Sequence, residues 1–163
     1  MISPTTAKTK GIGLASVAHY VLNRVWKQQD IPIPLKLRVF NAAVLSIVLY
    51  GSEYWALTPT LTRRLVSFEN RCLRHILGIN WTDHVTNDEV RRLSGQPSIE
   101  ITLRKRRLQW LGHLLRMPDS RPAKEMLLWE SPGTQRKGKL RTRLVDVWRK
   151  DLESIILTVP ELQ

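Results

Sequence analysis

Apolar residues recur along most of the chain at the i, i+3, i+4 spacing of helices, and no stretch alternates with the period of a strand. The pattern predicts an all-α fold, an irregular bundle of about six or seven helices with a basic loop before the last one. Residues 1–10 are polar and read as a flexible lead-in. A first helix is expected over residues 13–28, with Val17, Val21, Leu22, Val25 and Trp26 turned inward. The segment Asp30-Ile31-Pro32-Ile33-Pro34 stops it, because each proline disfavours a helical residue before it. Residues 34–54 read as the most apolar helix, with Leu37, Phe40, Val44, Ile47 and Val48 on one face and Ala43, Leu45 and Leu49 widening it, so a central position is expected. Thr58-Pro59 reads as an N-cap with proline in the first turn. The helix it opens carries Leu61, Leu65, Phe68, Cys72 and Ile76 as a stripe and stops at Gly78. Thr86-Asn87-Asp88-Glu89 matches a capping box ahead of a short helix that Gly95 ends. A long helix follows from Pro97-Ser98 to about Arg116, then short helical residues 123–129 and a last helix over 142–157. Residues 131–141, with Pro132, Gly133 and Gly138, read as a mobile loop.

Charge divides this helical chain into two characters. The formal net charge is +12 over 163 residues. Between residues 91 and 150 there are 16 Lys and Arg against 5 Asp and Glu, which places +11 of that excess in one stretch. The expected organisation is a lead-in (1–10), a nearly neutral helical core (11–80), a basic helical region (81–157) and a tail (158–163). A fold does not require such an excess; it repels itself and points to a polyanion, nucleic acid first and an anionic membrane surface second. Two clusters stand out: Arg104, Lys105, Arg106 and Arg107 within the long helix, with Arg116 further along it, and Arg136, Lys137, Lys139, Arg141 and Arg143 in and after the Gly-containing loop. Four successive helical residues span about 300°, so the first cluster cannot share one face, but Arg104 and Arg107 converge as i, i+3 neighbours. Phosphate contact would make binding salt-sensitive, with log affinity falling against log salt at a slope near −4 if about five phosphates are met. Trp81, Trp110, Trp129 and Trp148 lie in or near this region and could stack on bases, although anchoring the core is the commoner use of large aromatics.

The chemistry that the sequence excludes is as informative. Cys72 is the only cysteine, so no disulfide or Cys-rich zinc site can form within the chain, and a reducing, intracellular compartment is expected. Cys72 and His75 have ligand spacing, but Cys72 lies on the apolar stripe and His75 does not. The most apolar run, residues 39–51, is shorter than the roughly 20 residues that span a bilayer, so no membrane insertion is expected. Asp88-Glu89 is an adjacent acidic pair, and the capping box already accounts for Glu89, so a two-metal centre is not indicated. Neither a nucleophile elbow nor a Gly-rich phosphate loop occurs. The residues therefore predict no catalytic centre, no metal site and no cofactor.

Several motifs then become specific. Leu49-Tyr50-Gly51-Ser52-Glu53-Tyr54-Trp55 resembles the signature that follows the polymerase palm in reverse transcriptases of non-LTR (LINE-like) retrotransposons. In the same order come Arg71-Cys72-Leu73-Arg74-His75-Ile76-Leu77-Gly78-Ile79, Thr86-Asn87-Asp88-Glu89-Val90, the run from Arg107-Leu108-Gln109-Trp110-Leu111-Gly112-His113 to Met117, the Arg136-Lys137-Gly138-Lys139 loop and Val147-Trp148-Arg149-Lys150-Asp151-Leu152. The resemblance covers about residues 10–153. It implies the thumb and post-thumb part of an RNA-directed DNA polymerase, whose full-length members also carry an endonuclease domain and a palm with paired Asp residues. This sequence contains no Asp-Asp pair. The implied function is to hold the RNA template and DNA primer without catalysis by this chain alone. The alternatives are a subunit of a split polymerase or a vestigial element copy. The implied partners are RNA or DNA, with a palm or a second copy meeting exposed apolar helix faces; for a vestigial copy the helix over residues 34–54 is the suspect face.

Overall fold

The strongest sequence signals survive intact in α5 (Pro59–Leu77). Thr58 Oγ1 accepts a hydrogen bond from the Leu61 amide at 3.4 Å, and Pro59 occupies the first turn where its missing N–H has no function to lose. Leu61, Leu65, Phe68, Cys72 and Ile76 are all buried, joined by Leu73 and Glu69. Gly78 adopts φ +71°, the left-handed conformation that closes the helix, and the Ile79 amide bonds back to the Arg74 carbonyl at 2.9 Å. The structure, a computed structural model, describes the backbone of residues 4–128 and 144–156 and the side chains of residues 10–125 and 144–154. Among the described residues every regular element is helical, with no strand, so the chain is all-α.

The chain divides into two compact units, residues 1–50 with 57–102 and residues 51–56 with 103–163. The division runs inside α7 (Ile99–Arg116). Residues 11–80 carry eight Lys and Arg against three Asp and Glu, so the core expected to be nearly neutral is itself basic.

In the first unit, α1 (Pro4–Val21) packs on α5 and on the helical stretch that follows the Pro32 stop. Regular helix begins at Pro4, where a flexible lead-in was expected. It breaks at Leu22 and resumes as α2 (Asn23–Lys27), so the single helix predicted for 13–28 is two. The inward face differs as well. Ala15 and Trp26 are buried, while Val17 and Val21 are 61% and 73% exposed. Apolar residues lie nearly all round α1, so periodicity could not select a face; the small Ala15 and His19, stacked on Trp26 at 5.2 Å, form the contact.

The next stretch is α3 (Ile33–Val39), a π-helical segment (Phe40–Leu45) and α4 (Ser46–Val48) in succession. Leu37, Phe40, Val44 and Val48 are buried, as expected of a central helix, so the apolar face that a vestigial chain would leave open is covered. The exposed apolar face belongs to α1, as Leu14, Val17, Tyr20 and Val21. Helix stops at Val48, short of the predicted Tyr54, because Gly51 turns the chain at φ +66°. Lys36 is buried here, its ammonium donating to the Trp26 carbonyl at 2.7 Å.

α6 (Asn87–Ser94) completes this unit against α5 and α3. Half of its capping box forms: Thr86 Oγ1 accepts from the Glu89 amide at 3.2 Å. The other half does not, since the Glu89 carboxylate turns to the Arg92 guanidinium, a charge-assisted partner stronger than a neutral amide. A reciprocal box closes instead at Asn80 and Asp83, where the Asn80 amide donates to Asp83 Oδ2 at 2.7 Å. Glu69, buried on α5, accepts from the Ile99 amide at 3.0 Å and so caps the start of α7; burial pushes its carboxyl above the usual range.

In the second unit, Tyr54 meets Trp110 edge-on at 5.1 Å, and Leu103, Leu114 and Trp148 are buried. Lys124 on α8 (Pro122–Leu128) donates to the Leu115 and Met117 carbonyls at 3.2 and 2.9 Å, satisfying the C-terminal end of α7. The last described helix is α9 (Leu144–Ile156).

Candidate nucleic-acid interface

Helix geometry separates the four consecutive cations of α7. Arg107 falls one turn beyond Leu103 and two turns before Leu114, on the buried stripe, and is 8% exposed. Its Nε and Nη2 donate to the two carboxylate oxygens of Asp151 at 2.7 and 2.9 Å, a bidentate pair that occupies both prongs of the guanidinium fork. Arg104 Nε lies 3.6 Å from the same carboxylate. These two arginines do converge as their i, i+3 spacing predicts, but on an acid of α9 rather than on a phosphate. Arg107 is thereby corrected from a nucleic-acid contact to part of the core, and Arg104 is drawn to the same anion. Lys105 and Arg116 are exposed, while Arg106 is half-buried. Arg136, Lys137, Lys139, Arg141 and Arg143 lie outside the described residues. The signal for the ion pair was present: Asp151 follows the buried Trp148 by three, which puts the acid on the inward side of its helix.

The aromatic residues also separate. Trp148 is buried, and Trp110 is half-buried with the His113 ring 5.2 Å away. Trp81 is 84% exposed, contrary to the expectation that these tryptophans anchor the core. Trp129 lies outside the described residues.

A second polar constellation lies outside the basic stretch of residues 91–150. On α5, Ser67, Asn70, Arg71, Arg74 and His75 follow one another at helical spacing and share a face. With Ile79, Asn80, Trp81 and Asn87 they line an open pocket of about 510 Å³. Arg74 ties the loop after α5 in place, its Nη2 donating to the Val85 carbonyl at 2.7 Å and to Asn87 Oδ1 at 3.0 Å. Arg71 is exposed; its guanidinium sits 5.8 Å above the Phe68 ring, and Nη2 reaches Ser16 Oγ at 3.4 Å. The repeat of polar positions along the helix is the sequence signal that marks this face.

His75 meets His19 at one edge of this face, Nδ1 to Nε2 at 3.0 Å. Burial, with His75 and Arg71 nearby, lowers the His19 pKa to about 4, and burial lowers that of His75. A histidine with a depressed folded pKa binds protons more readily when unfolded, so stability is present at neutral pH and lost as pH falls. Between about pH 6.5 and 4 the melting temperature should therefore decline, and His19→Phe, which keeps the stacking but cannot titrate, should flatten that part of the curve. Calorimetry of both proteins across this range checks it. Cys72, the other half of the ligand-spaced pair, is buried in the core, and burial pushes its thiol up to about 12. No group of three or more His, Cys, Asp and Glu side chains that could hold a metal occurs among the described residues. No described helix is long and apolar enough to cross a membrane.

No protein-family model matches the chain, and no solved structure matches it. Over 123 residues it is 28% identical to a transposon-derived protein of Caenorhabditis elegans, a match covering 72% of this chain and 44% of the relative. The chain thus spans less than half of that relative's length, and the similarity supports a transposon-related origin.

Proposed function

We propose that this chain is the nucleic-acid-gripping part, thumb and post-thumb, of a non-LTR retrotransposon reverse transcriptase, holding RNA template and DNA primer and performing no chemistry alone. The observation that carries the reading is the concentration of +11 of the +12 net charge in residues 91–150, within the ordered series of motifs that resembles this family. Similarity to a transposon-derived protein supports the origin. The absence of an Asp-Asp pair from the sequence supports a binding role rather than a catalytic one. On α7 the exposed Lys105 and Arg116 are the side chains suited to phosphate, since Arg107 and Arg104 are engaged by Asp151.

Fluorescence anisotropy with a labelled RNA–DNA primer–template tests the reading. Affinity should fall about 250-fold between 50 and 200 mM salt, corresponding to a slope near −4. Reversing Lys105, Arg116, Lys137 and Lys139 to glutamate should abolish binding at the higher salt and flatten the slope by about one for each phosphate no longer neutralised. Affinity unchanged by the reversals sinks the proposal, and nucleotide incorporation by the purified chain with Mg²⁺ sinks its non-catalytic half.

A further inference from the structure

The pocket on α5 lies in the other unit from the basic stretch of α7, and three of its properties belong together. Asn70 is only 4% exposed, and its Oδ1 has no hydrogen-bond partner among the described residues, although its Nδ2 donates to the Val66 carbonyl at 2.9 Å. A buried acceptor left unmet is unfavourable unless something supplies a donor. The same pocket is lined by Arg71, an exposed residue with a planar guanidinium, and by the open indole of Trp81. An exposed tryptophan of this kind leaves a large apolar ring in water.

The loop that presents the indole is fixed rather than loose. Gly78 closes α5, the Asn80–Asp83 box holds the turn of residues 81–83, and Arg74 ties Val85 and Asn87 back to the helix. An acceptor, a planar cation and a flat aromatic surface match a base edge, a phosphate and a base face. An inorganic anion would use the cation alone, and an apolar ligand would leave both the cation and the amide unmet. The pocket volume of about 510 Å³ lies in the range of small-ligand sites.

We infer that this pocket binds one unstacked nucleotide of a single strand, RNA or DNA, with its base on Trp81, a base N–H on Asn70 Oδ1 and its phosphate on Arg71. The inference rests on the nucleic-acid function proposed for the chain and adds a site that distinguishes single strands from duplex. In a duplex the base faces are already stacked and cannot reach the indole. Arg74 is a positioning residue, acting through the loop that carries Trp81.

The test uses the full chain and four labelled probes: an RNA oligoadenylate, a DNA oligoadenylate, an abasic strand with the same number of phosphates, and a duplex. Anisotropy should show the base-bearing strand bound about 10-fold more tightly than the abasic one, a factor within the range of one stacked base. Trp81→Ala should erase that difference while leaving duplex affinity unchanged, and Trp81→Phe should restore most of it. Arg71→Ala should weaken base-bearing and abasic strands by the same factor, as removal of a phosphate-binding cation does. Ultraviolet crosslinking of the wild-type chain to the oligoadenylate, read by mass spectrometry, should place an adduct on Trp81 without reliance on any variant. If base-bearing and abasic strands are still distinguished by Trp81→Ala, or adducts form only elsewhere, the pocket assignment is overturned while reversals on α7 still report on the wider function. If the wild-type chain binds none of the probes, both readings are overturned together.

Discussion

Asp151→Ala should destabilise the protein by about 3–5 kcal/mol, the usual consequence of removing one partner from a buried ion pair. Arg107 would remain inside unit 2 with a full positive charge and both prongs of its fork unmet, because its side chain and that of Asp151 are each only 9% exposed. Arg104, already 3.6 Å from the same carboxylate, would then repel it without the intervening anion. Urea denaturation followed by circular dichroism measures the loss. The double variant Arg107→Leu with Asp151→Leu should recover most of it, since a buried pair replaced by apolar side chains is often neutral or better. If Asp151→Ala unfolds at the wild-type urea concentration, the pair is not buried in solution and Arg107 becomes available to phosphate again.

A comparable loss is expected at the centre of unit 1. Phe40→Ala should cost about 3–5 kcal/mol, combining the lost transfer energy of the ring with the cavity left behind. Phe40 is 1% exposed and meets the His19 ring edge-on at 6.4 Å. It therefore joins the π-helical segment to α1. Thermal denaturation of the variant should show the large fall in melting temperature, and Phe40→Leu, nearer in volume, a smaller one. An unchanged melting temperature for Phe40→Ala would mean that this segment does not carry the packing against α1.

The elements most legible in the sequence are those with a sharp difference between faces. α5 could be drawn from its Thr58-Pro59 start, its apolar stripe and its Gly78 stop, because each is a local signal and all agree. α1 could not, since Leu14, Val17, Tyr20 and Val21 compete with Ala15 and His19 for the inward side, and only tertiary packing decides. The site was legible as a region but not as side chains. A run of four cations reads as charge, yet helical geometry requires one of them to point inward, and the acid that receives Arg107 lies 44 residues away. Local pattern carries no information across that distance. The pocket at Trp81 escaped for a different reason: Arg71 and Arg74 are separated along the chain by Cys72 and Leu73 and lie outside residues 91–150, where the cations come in runs. The polar residues Ser67, Asn70, Arg71, Arg74 and His75 mark that face by the same helical period that the apolar stripe shows on the other side.

The π-helical stretch at Phe40–Leu45 acts on the residues beyond it as a single added residue absorbed without leaving the helix. Every later side chain of that helix is turned by about 100° from where an uninterrupted α-helix would put it. The wider turn compensates for the drift that α-helical geometry builds up over successive four-residue steps, so Phe40, Val44 and Val48 stay aligned on one buried line. The phase of the helix is thus set in its middle, and Leu49, Tyr50 and Gly51 enter the turn after α4 with the orientation that this one extra residue dictates.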